Sequence, residues 1–115
     1  MKKIEAIIRS EKLEKVAEKL KGIGVQGMTI SQATGWSKER VMELHFRGSR
    51  IEVGLLPKVK FEVIVSKEEV ERVVKTILES ARTGELGDGI IFIHDLDEVI
   101  SIHSGERTGP SQEHK

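Results

Sequence analysis

Lys3-Ile4-Glu5-Ala6-Ile7-Ile8, near the start of the chain, has a counterpart in Lys60-Phe61-Glu62-Val63-Ile64-Val65 past its middle. Both stretches read as strands, alternating early and apolar later. Each runs through a serine, Ser10 or Ser66, into a helical pattern of similar length. Behind Ser10, Leu13, Val16, Ala17, Leu20 and Ile23 recur at helical spacing, with lysines and glutamates on the other face, and Gly24 ends the helix. Behind Ser66-Lys67-Glu68-Glu69, a capping box, come Val70, Val73, Val74, Ile77, Leu78 and Ala81. A second strand follows each helix: Val25 to Ala33, with Gly27 marking a bulge or a close backbone approach, and Ile90 to His94. The order β-α-β, long loop, β-α-β predicts an α+β domain, the ferredoxin-like βαββαβ double unit with both helices on one face of an antiparallel sheet. Strand positions on both faces are apolar, Ile7 beside Ile8 and Ile64 beside Val63. The open face is therefore expected to pack against other subunits in a small closed oligomer.

The connection between the halves, Thr34 to about Gly54, is the irregular part. Polar residues surround Trp36 and recur at Arg47-Gly48-Ser49-Arg50, and a structureless connection of such length is commonly functional. The plainer reading is an extended β-ribbon pairing Val41–Phe46 with Ile51–Leu55. Pro57 opens the next strand. Beyond Ile90–His94, a short strand is expected over Glu98–His103. Residues 106–115 read as a polar, mobile tail behind a domain of residues 1–105.

With 115 residues the chain holds one core. Its 19 basic and 19 acidic side chains cancel, which argues against a dedicated nucleic-acid or anionic-membrane binder. No apolar run approaches the roughly 20 residues that span a bilayer. Met1-Lys2-Lys3 passes straight into a strand pattern, so no signal peptide is expected. The chain has no cysteine, which removes disulfides, thiolate metal sites and cysteine catalysis. A cytoplasmic domain without direct membrane insertion is the expectation. His45, His94, His103 and His114 are scattered and no nucleophile–base pair is visible, so no catalytic residue is assigned.

Thr83-Gly84-Glu85-Leu86-Gly87-Asp88-Gly89 is the stretch best suited to a ligand. Glycines let backbone N–H groups approach another molecule, and successive N–H groups in such turns form anion-binding hollows. A helix C-cap followed by a tight turn is the competing reading. The preceding helix also presents the end of its dipole that disfavours anions.

Taken together, several segments resemble the nitrogen-regulatory P-II signalling proteins. Met1-Lys2-Lys3-Ile4-Glu5-Ala6-Ile7-Ile8 is similar to that family's first strand, and Gly24-Val25-Gln26-Gly27-Met28-Thr29-Ile30 to its G-x-x-G-M-T-V segment. Arg47-Gly48-Ser49 and Leu56-Pro57-Lys58-Val59-Lys60 resemble its R-G-[AS] and L-P-K-x-K landmarks. Thr83 to Gly89 resembles its T-G-x-[IL]-G-D-G signature. The resemblance implies a homotrimer with nucleotide sites in the clefts between subunits, where ATP and ADP compete and 2-oxoglutarate joins ATP and magnesium. It also implies that residues of about 37–55 form the T-loop. That loop engages a protein target such as an ammonium transporter or a nitrogen-assimilation enzyme. By matched position the adenosine pocket takes Thr29, Glu62, Val63 and Ile64, lined by Gly27, Met28 and Ile7. Backbone around Trp36, Ser37 and Lys38 borders the phosphates, and Gly87, Asp88 and Gly89 wrap them. Glu39 and Lys58 stand where 2-oxoglutarate or a metal is held, and Ser49 stands at a modifiable position.

This chain departs from the family's pattern at the phosphate end. Ile90 stands where the family's loop ends in a lysine or arginine, and Ser101 and His103 where its last strand carries two arginines. A hydrogen bond to a charged group is worth roughly 1.5–3 kcal/mol, so three lost cations, with non-additivity allowed for, remove ~4–8 kcal/mol. A micromolar complex has only ~8 kcal/mol in all. The expectation is weakened triphosphate binding, with ADP or AMP preferred, unless Lys38, Arg40, Lys58, Arg82 or Arg107 substitutes. Glu39 occupies a position that is glutamine in many members, and Ile51 the position of the tyrosine that some members modify. Two alternatives stay open: a divergent sensor of another small molecule or ion, and a trimeric adaptor without a ligand.

Overall fold

The structure, a computed structural model, describes residues 1–36, 42–46, 49–53 and 55–109, the two segments 42–46 and 49–53 by their backbone. Among the described residues the strands and α-helices follow in the order β1 (Lys2–Arg9), α1 (Leu13–Gly22), β2 (Thr29–Gly35), β3 (Met42–Phe46), β4 (Ser49–Val53), β5 (Leu56–Val65), α2 (Val70–Ala81), β6 (Gly89–Asp95), β7 (Val99–Ile100) and β8 (Arg107–Thr108). The main sheet has the order β2-β5-β1-β6, and each neighbouring pair is antiparallel. This is the ferredoxin-like α+β arrangement expected from the repeat.

Alternation in the two central strands decides which face is the core. In β1, Ile4, Ala6 and Ile8 are buried, and in β5, Val59, Phe61, Val63 and Val65 are buried. Because side chains alternate across a strand, these two sets point to one side of the sheet. There they meet Val16, Ala17 and Leu20 of α1 and Val70, Val73, Ile77 and Ala81 of α2. Burying each of the large apolar side chains contributes about 1.5–3 kcal/mol.

The end of α1 is a Schellman motif. Gly24, at φ +92°, donates to the Lys21 carbonyl at 3.0 Å, and Val25 donates to the Leu20 carbonyl at 3.2 Å. Val25 spends its N–H on the helix, and β2 begins at Thr29 and runs to Gly35, not from Val25 to Ala33. Gly27 consequently lies before the strand and makes no bulge.

Neither serine caps its helix. One turn of 3-10 helix, Ser10–Lys12 or Lys67–Glu69, precedes α1 and α2. Its tighter bonds already satisfy the N–H groups a cap would serve: Leu13 donates to the Ser10 carbonyl, Glu69 to that of Ser66 and Val70 to that of Lys67. In the Ser66 box, Oγ meets the Glu69 carboxylate at 3.1 Å, so the two side chains satisfy each other.

The β-ribbon expected in the long connection exists with a tighter register. Met42 pairs with Val53 and Phe46 with Ser49, so the partner strand begins two residues earlier than expected. Two-residue links are among the commonest hairpin connections. Past β6, the expected strand over Glu98–His103 is cut to Val99–Ile100. Ser101 to Ser104 turn back, Gly105 sits at φ +73°, and Arg107–Thr108 pairs with Val99–Ile100. Among the described residues no helix is long and apolar enough to cross a membrane.

Candidate functional site

The site grows from the end of α2. Helix bonding stops where Arg82 turns extended, at φ −71° and ψ 133°. The chain then crosses to β6 through Gly84, Gly87 and Gly89, all with positive φ, which only glycine adopts without strain. Asp88 organises this turn from within. One carboxylate oxygen accepts the Thr83 N–H at 2.8 Å and the Gly84 N–H at 2.9 Å, and the other accepts the Thr83 hydroxyl. The Arg9 guanidinium adds Nε at 2.8 Å to the same carboxylate and Nη2 at 2.9 Å to the Leu86 carbonyl. Partial burial pulls the Asp88 pKa upward. The Thr83 hydroxyl, Arg9 and the N–H groups of Thr83 and Gly84 outweigh it and hold the carboxyl well below the usual range.

Lys58 joins a second element to this loop. Its ammonium donates to the Gly87 carbonyl at 2.5 Å. Its stem packs over Gly35, where an added Cβ would lie 3.1 Å from the lysine Cγ. The last residue of β2, the entry to the long hairpin, and the glycine loop therefore share one side chain. Exposed Trp36 follows immediately.

The open face of the sheet carries the remaining expected residues. Thr29 stands opposite Glu62, and Glu62 opposite Glu5, whose other neighbour is Phe92. One row along, Ile7 lies between Lys60 and Ile90. Ile64, Ile90 and Phe92 are exposed to 40%, 53% and 41%. A carboxylate at the centre of a strand needs a partner. Glu62 finds one within the chain, because Lys3 Nζ lies 3.3 Å from its Oε2 and 3.6 Å from Glu5.

The structure thus divides the residues singled out in the sequence. Ile7, Thr29, Glu62 and Ile64 share the open face, while Val63 points to the other side and is buried among the core residues. Met28 packs partly against that same core, and Gly27 is exposed with open space around it. Gly87, Asp88 and Gly89 form the loop beside Arg9 and Lys58. From Lys58 to Glu62 is four residues along β5, roughly 13 Å at the rise of a strand. Ser37, Lys38 and Glu39 lie outside the described residues, and so does the side chain of Ser49. Ser101 and His103 are exposed in the turn between β7 and β8, and Arg107 is paired with Glu98 at 2.9 Å. Among the described residues no group of three or more histidine, aspartate or glutamate side chains is placed to hold a metal ion.

Arg9 and Gly35 escape a reading of the sequence. The signal that finds Arg9 is topological: once β1 is flanked by β5 and β6, its last residue must lie beside the loop that feeds β6. Gly35 becomes visible only when β2 is seen to run two residues past Ala33.

The family model described as Nitrogen regulatory protein P-II matches residues 1–106. The chain is 46% identical over 106 residues to a protein named Nitrogen regulatory protein P-II 2 from Methanothermobacter thermautotrophicus, covering 92% of each chain. It is 44% identical over 109 residues to Nitrogen regulatory protein P-II of Rhodospirillum rubrum, covering 95% of this chain and 97% of that one. To the protein of the same name from Pasteurella multocida it is 43% identical over 106 residues, covering 92% and 95%.

Proposed function

This chain belongs to the nitrogen regulatory protein P-II family, and from that membership we propose that it is a cytoplasmic sensor of adenine nucleotides without a chemical step of its own. ATP, ADP or AMP binds in clefts between the chains of a homotrimer, with magnesium and 2-oxoglutarate as possible co-ligands. The hairpin carries the result to a protein target, an ammonium transporter or an enzyme of nitrogen assimilation. Nucleic acid is not a partner.

The observation that carries this reading is the meeting of Gly35, Lys58 and Gly87. An anionic ligand at the glycine loop competes with the Gly87 carbonyl for the Lys58 ammonium, a stronger pairing for a charged donor. Moving that ammonium moves the stem that rests on Gly35, and with it the entry to the hairpin. Occupancy is thereby coupled to the segment that meets the target. The exposed Ile64, Ile90 and Phe92 support assembly, since a neighbouring chain covers them and closes a cleft beside the loop.

One observation favours the second reading, a sensor of a different small molecule or ion or a trimeric adaptor. Ile90 ends the glycine loop with an exposed apolar side chain, and Asp88 already takes the Thr83 and Gly84 N–H groups that would greet an anion. Calorimetric titration of the full chain with ATP, ADP, AMP and 2-oxoglutarate plus magnesium separates the readings. Binding of an adenine nucleotide at micromolar to millimolar concentration is the expected result. No heat from any of them, or a monomer in light scattering, overturns it.

A further inference from the structure

We propose that Arg9 is a positioning residue of the glycine loop: it fixes the shape in which Gly87–Gly89 meet a ligand and makes no phosphate contact itself. The nucleotide part of this assignment rests on the function proposed above; the clamp itself does not.

Very little other than polar contact holds this loop down. Arg82 to Leu86 are exposed, and Leu86, the one apolar side chain between Arg82 and Gly89, is 62% exposed. Three successive residues are tied to the sheet by two cations. Arg9 takes the Leu86 carbonyl and the Asp88 carboxylate, and Lys58 takes the Gly87 carbonyl between them. Arg9 and Lys58 are directly opposite each other across β1 and β5. Like charges so placed repel, and acceptors above them offset the repulsion. The loop supplies those acceptors, which makes the attachment mutual.

The geometry calls for arginine. Its acceptors are a side-chain oxygen on Asp88 and a backbone oxygen on Leu86, reached by Nε and Nη2 of one planar group. A lysine ammonium is a single point donor and cannot hold both in a fixed fork. The Arg9 side chain is only 14% exposed, and it is committed inward to Asp88. At the far end of the loop, Gly89 lies so close to β1 that a Cβ there would stand 1.9 Å from the Ile7 carbonyl oxygen. Arg9 at one side and Gly89 at the other leave the loop a single seat.

Position and charge make opposite predictions for one pair of variants. Arg9→Gln removes a positive charge and Asp88→Asn a negative one. If Arg9 and Asp88 act through the loop's shape, both variants weaken ATP binding, each by roughly tenfold. If they act by charge on phosphates, Arg9→Gln weakens binding while Asp88→Asn tightens it. Amide hydrogen exchange of the ligand-free full chain is the second readout. Thr83 and Gly84 are expected to exchange at least about tenfold faster in Arg9→Gln, with β1 and β5 amides unchanged. Arg9→Lys is expected to fall between wild type and Arg9→Gln. Tighter ATP binding by Asp88→Asn, or unchanged exchange in Arg9→Gln, overturns the assignment while leaving the nucleotide reading intact. Wild-type protein that binds no adenine nucleotide overturns the nucleotide reading and the ligand-positioning role with it; the exchange rates still decide the clamp.

Discussion

Glu5 stands directly opposite Glu62 across the β1–β5 pairing, and one ammonium, Lys3 Nζ, lies 3.6 Å from the first carboxylate and 3.3 Å from the second. Two carboxylates in that relation repel each other, and Lys3 is what reconciles them. Lys3→Met keeps the stem that covers the sheet and removes the charge. The variant is expected to lose about 1 kcal/mol in urea unfolding at low salt. The loss should shrink in high salt, where the repulsion between Glu5 and Glu62 is screened. A variant as stable as wild type at low salt would show that water, not Lys3, resolves the pair.

Gly89 and Gly27 give a matched test of backbone and space. At Gly89 φ is +120° and a Cβ would enter the Ile7 carbonyl; at Gly27 nothing lies within 4 Å of a Cβ. Gly89→Ala is expected to cost roughly 2–4 kcal/mol, and Gly27→Ala to stay within about 0.5 kcal/mol. Thermal unfolding of the two variants side by side checks both values. Equal losses at the two positions would contradict the close approach of β6 to β1.

The repeat of Lys3–Ile8 in Lys60–Val65 made the fold legible because strand period and helix period are both local signals. What the sequence concealed were effects that depend on neighbours. Ser10 and Ser66 carry capping side chains, but a 3-10 turn had already used the N–H groups in question. Val25 looks like a strand residue, yet its N–H belongs to the Schellman motif of α1. In the candidate site, Val63 and Ile64 were indistinguishable as apolar neighbours, and only the pleat assigned one to the core and one to the open face. Arg9 is unremarkable at the end of a strand until β6 is placed alongside.

Ser66→Ala distinguishes a cap from a side-chain pair. The Ser66 hydroxyl reaches the Glu69 carboxylate and makes no bond to the helix backbone. Removing a true N-cap costs about 1 kcal/mol, whereas this change is expected to cost under ~0.5 kcal/mol. Chemical denaturation resolves the difference. A loss above about 1 kcal/mol would mean that the hydroxyl serves the backbone after all.

Val63→Ala and Ile64→Ala should separate stability from binding. Val63 is 1% exposed among the core residues, and its truncation leaves a void costing ~2 kcal/mol. Ile64 is 40% exposed on the open face, so its truncation costs the single chain less. On the proposed function, Ile64→Ala weakens nucleotide binding or trimer assembly at a temperature where both variants are folded. Val63→Ala leaves both intact. Calorimetry and light scattering on the two proteins, read with their unfolding curves, decide the matter; the reverse pattern would place the ligand elsewhere.

Acid should erode the stability that the Asp88 carboxylate lends the glycine loop. Asp88 has a pKa well below its ordinary value, held there by the Thr83 hydroxyl, Arg9 and two N–H groups against the opposing pull of partial burial. A carboxylate depressed in the folded state contributes stability that is fully present above its unfolded pKa, near 4. That contribution is lost as pH falls from there toward the folded value. The groups that hold Asp88 do not titrate in this window, since Arg9 stays charged and Thr83 and Gly84 are neutral. The slope is therefore the carboxylate's own. Asp88→Asn has no such proton to take up. The stability gap between wild type and Asp88→Asn is expected to be widest from neutral pH down to about 5, and to close progressively below about 4. Urea unfolding of both proteins from pH 7 to about 2.5 measures the gap directly, with exchange of the Thr83 and Gly84 amides reporting on the loop alone. A gap independent of pH would mean that the Asp88 charge does not hold the loop, and that its shape comes from the glycines and Gly89's contact with β1.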